Sequence, residues 1–217
     1  MEEQTLYQQS VVTIPKVEAM VDVTEPRKQV GLLGGNFNPI HLAHLMIGEQ
    51  VGQKLGFDHV ELLPSYLPPH VDEKKTIDSQ HRLNMVELAV EDNPHLTVNT
   101  VELARKGKSY TYDTIKQLTS EHPDTEYYFI IGGDQVEYLP NWYKIDDLVQ
   151  MVQFVGVKRP GYDVESPYPI IWVDVPQIQL SSSYIRQQVR QGCSIRYLVP
   201  EKVREYIEEE GLYLDEL

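Results

Sequence analysis

From residue 30 onward, short apolar runs alternate with stretches in which apolar positions recur every three or four residues. Val30–Leu33, His59–Leu63, Leu96–Val101, Glu126–Ile131, Val152–Val157 and Ile170–Val175 read as strands. Between them the helical spacing predicts elements over 41–55, ended by Gly56, and from Asp78 or Ser79 with Leu83, Val86, Ala89 and Val90 on one face. Further helices are expected from Tyr110 to about His122, over 145–151, from the Ser181–Ser183 cap through Arg190 to Gly192, and from Pro200 to Gly211. The run Pro64-Ser65-Tyr66-Leu67-Pro68-Pro69-His70 is too proline-rich for a helix and reads as a loop.

Strands alternating with helices predict an α/β fold, a doubly wound parallel sheet with helices on both faces and a small C-terminal helical part. Crossovers in such a sheet are right-handed, and ligands bind beyond the carboxyl ends of the strands where the strand order reverses. Gly34-Gly35, Gly132-Gly133-Asp134, Lys158-Arg159 and Ser181–Ser183 all fall at predicted strand ends or the turns that follow. Residues 1–28 show no clean period and carry Pro15 and Pro26, so they are expected to form a partly ordered extension ahead of a domain over 29–217. No internal repeat is evident.

Composition narrows the function. The 217 residues are 41% hydrophobic, enough for a core. A single cysteine, Cys193, excludes an intramolecular disulfide and a multi-cysteine metal cage, and fits a reducing, cytoplasmic setting. No apolar run reaches the ~18 residues of a membrane helix, and Glu2 and Glu3 argue against a signal peptide. A formal charge of −14 argues against a nucleic-acid partner. If the substrates are nucleotides, cationic groups must be gathered locally, and His41, His44, Arg82, Lys158, Arg159 and Arg186 are the candidates. Homo-oligomerisation is left open.

The chain centres on Val30 to His44. A buried strand runs into Gly34-Gly35, whose missing Cβ atoms admit close approach and positive φ. Pro39 then precedes a helix start. His41 and His44, three apart, share one face of its first turn, where N–H groups and the dipole attract anions. The alternatives are a packing or capping pair, or part of a zinc site, for which no further ligand stands at matching spacing. Ser181-Ser182-Ser183-Tyr184-Ile185-Arg186 is either an ordinary helix cap or a second phosphate-binding helix start with Arg186 one turn in. Tyr110-Thr111 opens a helix whose N–H groups can hold a carboxylate, and Trp142 can stack on a flat ring; alone, these are a capped helix and an exposed aromatic turn. Asp134 either holds ribose hydroxyls or caps a helix, and Arg82 and Arg159 are phosphate contacts or surface charges. Cys193 reads as structural or incidental.

Gly34-Gly35-Asn36-Phe37-Asn38-Pro39-Ile40-His41-Leu42-Ala43-His44 resembles the first signature of the HxGH nucleotidyltransferase superfamily, with Ala43 in the usual glycine position. Ser181–Arg186 resembles its second, with Ser183 in the threonine position. Together with Leu67–His70, Phe129–Asp134, Thr111 and Trp142-Tyr143, the chain from Val30 to Leu214 resembles the bacterial nicotinate-nucleotide adenylyltransferases. That resemblance implies a Rossmann-like fold and transfer of AMP from ATP, with Mg2+, to nicotinate mononucleotide, giving deamido-NAD and pyrophosphate. It implies His41, His44 and Arg186 as catalytic. It places Gly34, Gly35, Asn36, Phe37, His41, His44, Ile131, Gly132, Asp134, Arg159, Ser181, Ser182, Ser183 and Arg186 at ATP. It places Gly35, Asn36, Phe37, Tyr110, Thr111, Trp142 and Tyr143 at nicotinate mononucleotide. Rivals are a superfamily transferase for pantetheine phosphate or a CTP-linked alcohol phosphate, a nucleotide sensor without catalysis, and a zinc module.

Overall fold

The computed structural model describes residues 27–68, 76–158 and 165–215. Of the segments singled out above, residues 1–26, Pro69-His70 and Arg159 lie outside these.

Six parallel strands form one sheet: β1 (Lys28–Gly35), β2 (His59–Pro64), β3 (Leu96–Val98), β4 (Thr125–Gly132), β5 (Gln153–Lys158) and β6 (Ile170–Asp174). Their order is β3-β2-β1-β4-β5-β6, so the strand order reverses between β1 and β4. Both central strands are buried on two sides. In β1, Leu33 belongs to the core that holds Val51, Met85, Ile185 and Val203. These come from α1 (Leu42–Leu55), α2 (Ser79–Val90), α7 (Ser182–Arg190) and α8 (Glu201–Glu209). Val30 and Leu32 face the opposite core with Ile115, Val136 and Leu148, from α4 (Thr111–Glu121), α5 (Gly133–Tyr138) and α6 (Ile145–Leu148). Alternation along one strand thus assigns helices to both faces.

The glycine stop of α1 and the start of α2 behave as the sequence predicts, whereas the helix expected over 145–151 ends at Leu148. Gly56 takes a left-handed conformation (φ 68°) and its N–H donates to the Gly52 carbonyl, closing α1. Asp78 caps α2, its carboxylate accepting from the Gln80 N–H at 2.7 Å. One strand ends early. Leu96–Val101 was expected to be extended, yet β3 stops at Val98 and Val101 opens a short helix, α3 (Val101–Arg105). The Asn99 side chain accepts from the Val101 N–H at 3.0 Å, a local turn that competes with the ladder. The strand end at Gly132 likewise runs straight into α5.

Candidate functional site

β1 delivers Gly34 and Gly35 to the edge where the strand order reverses. Neither glycine uses a positive φ; that conformation falls instead on Phe37, at 47°. The glycines are needed for packing. A Cβ on Gly35 would sit 2.8 Å from the Phe37 ring, and one on Gly34 would sit 3.0 Å from the Phe129 ring. Phe37 therefore folds back under its own loop, 2% exposed, and meets His44 edge-on at 5.0 Å. Only its main chain is left to face a ligand.

His41 caps α1 and is 5% exposed; its ring stacks on that of His44 with centroids 3.7 Å apart. Burial lowers the pKa of His41 to about 4, partly opposed by a hydrogen bond to its own main chain. Burial and the neighbouring His41 hold His44 well below the usual range too. Both rings are therefore neutral at pH 7 in the free protein. They are hydrogen-bond donors rather than the local cations that the charge argument asked for. The His41 main-chain N–H donates to His44 Nδ1 at 3.3 Å. That nitrogen is an acceptor, so the proton of the neutral ring is on Nε2.

The second helix start is bound to the first. Ser182 Oγ donates to the Pro39 carbonyl at 2.8 Å, and Arg186 donates to the Asn38 carbonyl at 2.7 Å across 148 residues of sequence. Arg186 also donates to Ser183 Oγ at 3.1 Å, and Ser181 Oγ accepts from the Tyr184 N–H. Ser182 thus spends its hydroxyl proton on the loop, whereas those of Ser181 and Ser183 are not committed by these bonds. The α1 start is partly closed as well: the Leu42 N–H donates to the Leu198 carbonyl at 3.1 Å. An open cleft of about 1020 Å³ lies over this junction, lined by His41, His44, Gly132, Ser181, Ser182 and Tyr184. It is also lined by Pro176–Leu180, the connection after β6. The sequence reading passed over that segment. The rule that ligands lie beyond strand ends was the available signal.

Across the sheet edge, Tyr110 caps α4 and its ring lies 4.9 Å from that of Tyr143, itself 5.8 Å from Tyr112. Lys144 Nζ stands over both Tyr112 and Tyr143, at 4.6 and 5.3 Å from the ring centres. Thr111 is the first residue of α4. Trp142 is half-buried, edge-on to Phe129 of β4 and Phe154 of β5 at 6.0 and 5.9 Å, which fixes the indole against that face of the sheet. Asn36 exchanges side-chain hydrogen bonds with Thr76 at 3.1 and 3.3 Å. Ile131 is buried in β4 and Asp134 is exposed in the first turn of α5. Arg82 is neither a phosphate contact nor a surface charge. It is 1% exposed and its guanidinium binds three main-chain carbonyls beneath the loops.

Comparison with known proteins agrees with this fold. Residues 32–188 match the family described as cytidylyltransferase-like. A protein of Enterococcus faecalis named "probable nicotinate-nucleotide adenylyltransferase" is 67% identical over 89% of this chain and 88% of its own length. A protein of the same name from Streptococcus pneumoniae is 59% identical over 91% of this chain and 95% of its own. Among solved structures, the Plasmodium falciparum nicotinic acid mononucleotide adenylyltransferase complexed with NaAD shares the fold. Its TM-score is 0.71 at 19% identity, over 86% of this chain and 97% of that one.

Proposed function

The chain belongs to the nicotinate-nucleotide adenylyltransferase family, and from that premise we propose how its cleft transfers the adenylyl group of ATP to nicotinate mononucleotide. A phosphate monoester has a second pKa near ~6, so the nucleophile is largely ionised at neutral pH and no strong base is required. Its oxygen attacks the α-phosphorus of ATP. The bond from that phosphorus to the α,β-bridging oxygen breaks, and pyrophosphate leaves with the electron pair. The work left to the protein is to bring two polyanions together and to stabilise charge moving onto the leaving oxygen.

In this reading His41 and His44 meet the phosphates as neutral imidazoles, His44 through Nε2–H. As an anion arrives, its field raises both pKa values toward the charged form. Arg186 supplies a permanent charge beside them. Ser181, Ser183 and the loop from Gly34 to Phe37 complete the triphosphate side, with Ile131, Gly132, Asp134 and Arg159 toward the nucleoside of ATP. Thr111, Tyr110, Trp142 and Tyr143 hold the pyridine carboxylate end. Mg2+ is assigned to the triphosphate, whose charge it neutralises when bound. The donors gathered here are mostly nitrogen, whereas this ion prefers oxygen. No helix among the described residues is long and apolar enough to cross a membrane. A cytoplasmic location rests on the lone cysteine.

The observation that carries the proposal is the bonding of the α7 start to the loop after β1, by Arg186 to Asn38 and Ser182 to Pro39. It is tested by pyrophosphate release from ATP, expected only when nicotinate mononucleotide is present. His44→Ala is expected to lose about 10²-fold or more in turnover while melting within a few degrees of the parent. Near-parent turnover in that variant would remove His44 from the chemistry.

A further inference from the structure

Arg82 lies outside every motif considered above, yet it touches the loops on which the site is built. Its Nη1 donates to the carbonyls of Asn36 at 2.8 Å and Ser65 at 2.7 Å, and its Nη2 to that of Tyr66 at 3.1 Å. Asn36 follows β1, and Ser65 and Tyr66 follow β2, so one guanidinium joins the ends of two adjacent strands. A carbonyl and the N–H of the next residue point in opposite directions across a planar peptide. Drawing the Asn36 carbonyl down to a fully buried guanidinium therefore turns the Phe37 N–H away from the interior.

Phe37 is also the residue with φ at 47°, in the left-handed region that costs a non-glycine residue roughly 1–2 kcal/mol. Such a conformation persists only where its surroundings over-determine it. Here they do so from both sides: Arg82 binds the carbonyl of residue 36, and Arg186, from α7, binds that of residue 38. The Phe37 ring is locked beneath.

We propose that Arg82 is a positioning residue for adenylyl transfer, holding Phe37 in its left-handed conformation so that its main-chain N–H faces the phosphates. This rests on the functional reading above. Of the groups assigned to the substrates, Arg82 touches only the main chain of Asn36; the imidazoles, serines and aromatic rings, which carry most of the ground-state contact, are left in place. Its loss misaims one donor whose value lies in the transition state, so it lowers kcat more than it alters KM.

The test uses Arg82→Met, which keeps bulk and removes every donor, and Arg82→Lys, which keeps the charge but cannot span three carbonyls. Each is assayed by pyrophosphate release well below its own melting temperature, with rates taken per folded molecule. The expected result is a kcat loss of about 10²-fold in Arg82→Met, partial recovery in Arg82→Lys, and KM values for both substrates within about threefold of the parent. A kcat within twofold of the parent in either folded variant would overturn the proposal. So would a loss confined to KM, or failure of both variants to fold, which would make Arg82 a stability residue only. A parent that releases no pyrophosphate with nicotinate mononucleotide sinks the functional reading itself, an outcome distinct from these.

Discussion

Acidification from pH 7 to pH 5 is expected to weaken the fold by about 2 kcal/mol through His41 alone. The ring titrates at about 4 in the folded protein against an ordinary 6.5. Between those values the unfolded chain binds a proton that the folded chain refuses. Stability contributed by the neutral ring is therefore complete above 6.5 and is lost as pH falls through the window toward 4. At pH 5 the unfolded imidazole is almost fully protonated and the folded one about one-tenth protonated, which gives the 2 kcal/mol. In a chain of this length that is a fall in Tm of about 4–8 °C. The assay is thermal or urea unfolding of the parent and of His41→Asn at several pH values from 7 to 5. Carboxylates and the distant histidines titrate in both proteins and cancel in the difference, whereas His44, whose pKa His41 helps to lower, protonates more easily in the variant and adds to it. The variant profile is expected to be shallower by at least that amount. Parallel profiles would show that burial does not hold the His41 ring neutral, and the picture of the pair as uncharged donors would fall with it.

The same electrostatics predict that ATP binding takes up protons at pH 6. Titration calorimetry in buffers of different ionisation enthalpy reads this directly, and a binding enthalpy independent of buffer would contradict it. Trp142→Phe keeps an apolar side chain against Phe129 and Phe154 but narrows the stacking surface. The KM for nicotinate mononucleotide is expected to rise about fivefold, equivalent to about 1 kcal/mol of ring contact, with the KM for ATP unchanged. Equal increases for both substrates would remove Trp142 from the pyridine side.

Sequence alone determined the alternation of strands and helices, the glycine stop of α1, the aspartate cap of α2, and the two helix starts at which donors gather. Those features are local. Side-chain period, a missing Cβ and a capping carboxylate act within a few residues, so Gly56 and Asp78 do their work whatever surrounds them. Tertiary structure decided what those features are for. Gly34 and Gly35 read from sequence as room for a ligand, and the fold adds that their missing Cβ atoms also make room for the Phe129 and Phe37 rings. Ser182 read from sequence as a phosphate donor, and in the fold its hydroxyl is given to the Pro39 carbonyl. His41 and His44 looked like local positive charge and proved to be neutral, because burial is a property of the packed chain and not of the motif. Arg82 was read as a phosphate contact or a surface charge, and its place beneath the loops was hidden for the same reason. A guanidinium's role is set by the carbonyls it reaches, and here those lie 16, 17 and 46 residues away, brought together only when α2 packs beneath the ends of two parallel strands.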